Sequence, residues 1–202
     1  MLLAYALAAL LGTVEGPTPT PPPLVVRVHA APTIPRAVVT MTIDEASAIY
    51  RASGLRLAWV LDEGSDGVQV TIDDSEGMVR DGDMAMGWIN FASGVAQPRI
   101  HLSYGNALTL IQQSEGAAAM IRMTILERNT MLSRALGRAL AHELGHYLLG
   151  SKDHAGHGLM RARRTAADFF GPLHDTFDIT PAQQAIISAR LANAETIAMI
   201  AK

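Results

Sequence analysis

Hydrophobic and polar positions divide the chain into short alternating runs first and long periodic runs later. Leu24–His29 (LVVRVH) alternates weakly and is rich in Val, which predicts a first strand. From Thr33 to Ala52, apolar Val38, Met41, Ala48 and Ile49 recur at helical intervals. Pro35 in the first turn and Gly54 near the C-cap fit that helix. Leu55–Leu61 (LRLAWVL) and Val68–Ile72 (VQVTI) predict two strands around the turn-rich DEGSDG. Met84–Phe91 and Arg99–Tyr104 predict two more, with Ser93-Gly94 and Pro98 between them. From Asn106 to Leu149 the pattern is helical, and Gly116 is expected to divide it into a short helix and a long one. Ser151–Gly158 reads as a loop. Thr180-Pro181 reads as an N-cap followed by Pro at the first helical position, opening a last helix to about Ile200. Its positions Ile186, Ile187, Leu191, Ala194 and Ile197 form one stripe, expected to face the core. The order is strand, helix, four strands, helix, loop, helix. That order predicts an α/β domain with one mixed sheet rather than a regular βαβ array.

Residues upstream of the first strand read differently. Met1–Leu11 (MLLAYALAALL) is an uncharged apolar run, shorter than the ~20 residues that span a bilayer as a helix. It fits the apolar region of a secretory signal peptide, so residues 1–16 are expected to direct export to the periplasm or outside the cell. The alternative is a buried N-terminal helix. Residues 17–23 (PTPTPPP) hold five prolines in seven residues, which favours an extended linker. Residues 24–202 then form the single expected domain.

Composition narrows the chemistry. The chain has 202 residues, of which 49% are hydrophobic and 17% charged, so it is no disordered polar chain. Its formal charge of −3 supplies no field for nucleic acid. Cysteine is absent, which excludes disulfides, thiolate metal sites, Cys nucleophiles and a lipid anchor on Cys. Histidine is unevenly placed: of seven, four lie between His142 and His157.

Two of those four stand in His142-Glu143-Leu144-Gly145-His146, an HExxH motif. Chance alone gives such a motif in roughly one chain in a hundred of this composition, and it carries weight only on a helix. Helical context is present: Leu132, Leu136, Leu140, Leu144 and Leu148 recur every four residues. Residues four apart share a helix face, so two imidazoles can each give a nitrogen to one zinc ion. Glu143 is rotated by about 100° from His142, where it can reach a zinc-bound water instead of the metal. Zinc lowers the pKa of such a water toward ~7, and a carboxylate can take its proton. The leucine stripe is expected to face the core and the histidine side a cleft. Ala135 and Ala139 leave room on the histidine side.

A catalytic zinc site needs a third protein ligand. Gly150 can end the helix in a left-handed turn, after which the chain reads SKDHAGHGLM. His154 and His157 both lie within reach, while Asp168 and His174 are more distant. His154 is the expected ligand, and His174 is expected to be a solvated loop residue. Tyr104 and His157 are candidates to stabilise an oxyanion, and nothing in the sequence chooses between them.

The stretch HELGHYLLGSKDHAGHGLM resembles the metzincin branch of zinc metalloproteases, whose zincin helix ends at a Gly and is followed by a third His and a Met-turn. By that resemblance His142 and His146 are the helix ligands, Glu143 the general base and Gly150 the turn glycine. His154 is the third ligand and Met160 the Met-turn methionine. The motif here is lengthened to HExxHxxxGxxxH: Gly and the third His fall four and eight residues after His146, against three and six in the usual pattern. No Tyr adjoins Met160. The resemblance implies a mostly parallel sheet with an antiparallel edge strand, packed on an N-terminal helix, the HExxH helix and a C-terminal helix. Its substrate-holding edge strand maps to Gly87–Phe91 (GWINF).

The expected activity is therefore that of a zinc-dependent endopeptidase acting on peptide or protein substrates, with zinc-activated water and Glu143 as general base. A second expectation is a zinc-bound module of the cell envelope that binds peptides without cutting them. A third is a structural protein whose HExxH is accidental. An intact Glu143 favours the first, because a binder needs no base.

Overall fold

In the computed structural model, residues 23–61, 64–75, 77–78 and 84–200 are described. The expected leader and all of the Pro-rich linker but Pro23 lie outside them. The elements run β1 (Leu24–Ala30), α1 (Arg36–Ala52), β2 (Leu57–Val60), β3 (Val68–Asp73), β4 (Gly77–Met78), β5 (Met84–Ala85), β6 (Gly87–Ala92), β7 (Val95–Ser103), α2 (Tyr104–Glu115), α3 (Ala117–Arg122), α4 (Ile125–Leu149), α5 (Ala166–Phe170), a 3₁₀ turn (Asp175–Phe177) and α6 (Pro181–Ile200).

Val26, Val28, Val68, Val70, Ile72, Ile100 and Leu102 alternate along β1, β3 and β7, and each is at most 4% exposed. β-branched residues at period two suit a pleated surface with one buried face. The five-stranded sheet has the order β2-β1-β3-β7-β6. Its first three pairings are parallel, and β6 joins β7 antiparallel at the edge. This is the mixed, mostly parallel α/β sheet expected. A two-residue turn closes the β6–β7 hairpin, with Ser93 and Gly94 at φ 50° and 80°. Positive φ at both turn positions matches the twist of a hairpin, and Gly takes it without strain.

Pro98 does not separate two strands as expected; it lies within β7. Ile89 pairs with Ile100 and Phe91 with Ala96, so residues 97–99 oppose Asn90 alone. Pairing of β7 with β3 begins only at Arg99. Pro98 therefore sits at an irregularity, where its missing N–H breaks no ladder bond.

The helical stretch holds three helices, not two. Gly116 ends α2, and α4 starts afresh at Thr124, whose side chain and that of Glu127 form a reciprocal capping box. The α4 helix is also not two-sided. Its leucine stripe is buried as expected, but Ala135, Gly137, Arg138, Ala141, Gly145 and His146 are buried too. The reason is central placement: α4 touches α1, α2, α5, α6 and strands β6 and β7.

Helices α1 and α4 approach closely. A Cβ on Gly137 would lie 2.8 Å from the Thr42 carbonyl oxygen and 2.6 Å from the Glu45 Cβ. Ser133 Oγ donates to the Val38 carbonyl and Tyr50 Oη to the Ala141 carbonyl, at 3.2 and 2.8 Å. On α1, Val38 and Ile49 are buried as expected, whereas Met41 and Ala48 are only partly so; Thr42, Ala46 and Tyr50 complete the packed face.

Pro181 opens α6, and Thr180 Oγ1 accepts from the Gln183 N–H at 3.3 Å. Ile187 is buried and Leu191 half-buried, but Ile186 is 49% exposed and falls off the expected stripe. The side chains of Ala194 and Ile197 lie outside the described residues. Among the described residues, no helix is long and apolar enough to cross a membrane.

Candidate metal centre

The HExxH turn is the last stretch of α4, and Gly150 ends the helix at φ 64°, in the left-handed region. The chain then loops back beneath it. The Ala155 N–H donates to the Met160 carbonyl at 2.8 Å, and Ala155 bridges Arg161 in parallel. The loop tied off in this way carries His154 on one side and Met160 on the other.

Three imidazoles meet there. His142, His146 and His154 each offer a ligand atom within 4.8 Å of the others, a group able to hold a metal ion. His154 stacks on His142 at 5.2 Å between centroids and meets His146 edge-on at 4.9 Å. His142 Nδ1 faces the Leu159 carbonyl oxygen and His146 Nδ1 the Ser151 carbonyl oxygen, both at 2.8 Å. A carbonyl only accepts, so each Nδ1 carries the proton and each Nε2 presents a lone pair. The two Nε2 atoms stand 3.1 Å apart. Nitrogens bound tetrahedrally at ~2.0–2.1 Å from one ion are about 3.3–3.4 Å apart, so the spacing is close to that of two ligands on a single ion. Backbone carbonyls that fix tautomer and ring angle are the usual outer support of metal-binding histidines.

Burial works in the same direction. It pushes the His142 imidazole down to about 3, helped by the neighbouring His146 and His154, against the pull of the Leu159 carbonyl. His146 is lowered too, chiefly by burial. Both rings are therefore neutral at pH 7, the form that binds metal.

Glu143 is 8% exposed, and burial pushes its carboxyl up to about 8. The backbone N–H of Ile89 in β6 pulls it the other way. A cation beside the three imidazoles would pull that value back down. Gly87 of β6 gives Glu143 its space: a Cβ there would lie 3.1 Å from Glu143 Cγ and 2.9 Å from Leu102 Cδ2. Met160 is 2% exposed, and a Cβ on Gly145 would lie 2.5 Å from its Sδ. The methionine thus packs against the helix turn that spaces His142 from His146.

Neither His157 nor Asp168 joins the cluster. His157 is exposed. Asp168 caps α5 through Thr165 and pairs with Arg161. His174 lies 4.0 Å from Glu45, at the α1 side, as a half-exposed residue. Tyr104 is half-buried, and its charged neighbours are Arg128 and Asp74 rather than the histidines.

No family model matches this chain, and no curated protein does either. What the site can do rests on its own geometry. It offers three imidazoles grouped so that they could hold a cation, a carboxyl group beside them, and an adjoining pocket of about 460 Å³. His142 and Glu143 line that pocket, along with Gly87, Ala139, Phe169 and the arginines Arg138, Arg161, Arg163 and Arg164.

Sequence reasoning missed the carbonyls that orient the rings, the Ile89 N–H on Glu143 and the arginine-lined pocket. Only the last has a visible signal, the run Arg161-Ala162-Arg163-Arg164 directly after Met160.

Proposed function

We propose that the chain is a zinc-dependent endopeptidase. The observation that carries this is the convergence of three imidazole nitrogens next to a buried carboxyl group tied to an edge strand. His142, His146 and His154 would hold the ion. Bound there, zinc would supply a Lewis acid for the scissile carbonyl and acidify the attacking water.

The protein's own groups do the rest. The Glu143 carboxylate accepts a proton from the attacking water and passes it to the leaving nitrogen. A carboxyl group in a largely apolar setting holds a proton more readily than one in water, which suits such a shuttle. The Ile89 N–H favours the charged form of that carboxylate. Among the described residues, strand β6 ends the sheet order and pairs only with β7. Its other edge, which no described strand covers, would take an extended peptide through main-chain hydrogen bonds beside the cluster. The leader expected at residues 1–16 would send this activity out of the cell.

Glu143→Gln tests the proposal. It keeps size and hydrogen bonding but removes the base. The zinc-loaded chain should cleave an unstructured protein, and the variant should lose about 10²–10⁴ in rate while keeping its metal. Full metal without turnover in the unaltered chain would overturn the proposal in favour of a non-catalytic peptide-binding module.

A further inference from the structure

The pocket beside the cluster carries more positive charge than its surroundings balance. Arg138 is fully buried, and its three nitrogens are engaged by Glu45 and the carbonyls of Asp168 and Gly171. Arg161 pairs with Asp168. Arg164 differs from both. It lies over the Phe177 ring, 3.5 Å from the centroid, and donates to the carbonyls of Gly158, Leu159 and Thr176. Among the described residues it makes no ion pair with a carboxylate, and its Nε is buried without a hydrogen-bond partner. Exposed Arg163 adds a fourth guanidinium to the lining. Asp178 influences Arg164 but does not line the pocket. Thus four arginines meet two pairing carboxylates, Glu45 and Asp168, with Glu143 committed to the reacting centre.

Besides polar Asn106, His142 and Glu143, the lining includes Leu110, Ala139 and Phe169, apolar surface suited to methylene groups. Apolar surface and guanidinium groups in one pocket fit a short aliphatic chain that ends in a carboxylate. The pocket also has a definite place on the substrate. Glu143 and His142 line it, whereas His146 and His154 do not. Glu143 delivers the proton to the leaving nitrogen, so the pocket lies on the side of the residue whose amine is released.

Resting on the endopeptidase reading, we propose that this pocket selects substrates in which the residue just after the scissile bond carries a carboxylate. An Asp or Glu side chain supplies that group, as does the free C-terminus of a substrate cut near its end. Arg164 is the principal recognition residue.

Two measurements on the full chain test this. In the first, the zinc-loaded protein digests a peptide library, and new N-termini are read by mass spectrometry. Asp and Glu should lead those products by about ten-fold over Asn and Gln, because a site built for a charged partner rejects the neutral analogue. C-terminal amidation separates the two sources: side-chain recognition survives it, and end recognition does not. In the second, calorimetry compares two short product peptides that differ only in Glu or Gln at their first residue. The Glu peptide should bind about ten-fold tighter. Arg164→Gln should remove that difference, so that the Glu and Gln peptides bind the variant equally. The unaltered protein decides the matter even if the variant misfolds. Cleavage with no acidic preference and equal binding of both peptides overturns the proposal and spares the endopeptidase reading. Preferential Glu binding with no cleavage of any peptide overturns the endopeptidase reading and leaves the carboxylate pocket standing.

Discussion

His142 Nε2 and His146 Nε2 stand 3.1 Å apart, and neither ring has a proton to place between them. Each has committed its proton at Nδ1 to a backbone carbonyl, Leu159 for one ring and Ser151 for the other. Two lone pairs held face to face repel unless a cation lies between them. The backbone of the return loop therefore arms the pair for a metal before any metal arrives.

The first expected outcome concerns the third ring. One zinc should bind per chain, and His146→Ala should abolish stoichiometric binding. His154→Ala should weaken zinc binding by orders of magnitude, since His154 completes the cluster. His157→Ala should leave it unchanged, because that exposed side chain stands outside the cluster. Metal content after dialysis against a weak chelator reads the difference. Loss of zinc in His157→Ala with retention in His154→Ala would reverse the assignment.

A second outcome is a pH profile of the zinc-depleted protein. His142 falls from 6.5 to about 3 on folding, so between those values the unfolded chain binds the extra proton and stability rises with pH. Glu143 rises from 4.5 to about 8, so between those values the folded chain binds the extra proton and stability falls as pH rises. The two slopes oppose each other between 4.5 and 6.5. Melting temperature should therefore fall on acidification below about 4.5 and fall again on passing from about 6.5 to 8. Saturating zinc should flatten the alkaline limb, because a cation beside Glu143 lowers its proton affinity. A melting temperature that rises steadily from pH 6.5 to 8 without zinc would contradict the burial of Glu143.

Much of this was legible in the residues, because it depends on local spacing. HExxH places two rings on one face, Gly150 ends α4, and Thr180-Pro181 starts α6. Period-two valines locate the buried strands. What escaped depends on contacts between distant segments. Pro98 reads as a strand break, and only the register shift opposite Asn90 makes room for it inside β7. The fresh start of α4 was visible in principle as Thr124-Ile125-Leu126-Glu127, a capping-box pattern. The burial of α4 on all sides was not, since it comes from neighbours on every face and from small residues such as Gly137.

Gly137 supplies a stability test. Ala in a helix interior is normally favoured over Gly by about 1 kcal/mol. Here the added methyl would meet the Thr42 carbonyl oxygen at 2.8 Å, which is backbone and cannot rotate away. Helices α1 and α4 must separate, at a cost of about 1–3 kcal/mol. Gly137→Ala should lower the melting temperature by several degrees, since each kcal/mol is worth about 2–4 °C at this size. Gly156→Ala, with open space around its Cβ, is the control and should change little. A stabilised Gly137→Ala would mean that the helices do not cross this closely.

The last outcome isolates the positioning of the base. The three atoms nearest a methyl on Gly87 belong to no imidazole: it would crowd Glu143 Cγ at 3.1 Å, Leu102 Cδ2 at 2.9 Å and the His101 carbonyl at 3.3 Å. The Leu102 side chain can turn, and the β7 backbone cannot. The carboxylate of Glu143 is then displaced from the Ile89 N–H. A displacement of about 1 Å at a reacting group can cost on the order of 10²-fold in rate. Gly87→Ala should therefore lower kcat by about that factor while zinc content stays at one per chain, because the histidines keep their carbonyl partners. If the loss acts through Glu143, it must vanish where Glu143 no longer works. Adding Gly87→Ala to Glu143→Gln should then cost almost nothing further, although the two changes are each severe alone. A Gly87→Ala effect that persists in full on the Glu143→Gln background would show that the glycine serves substrate access along β6 and not the aim of the carboxylate.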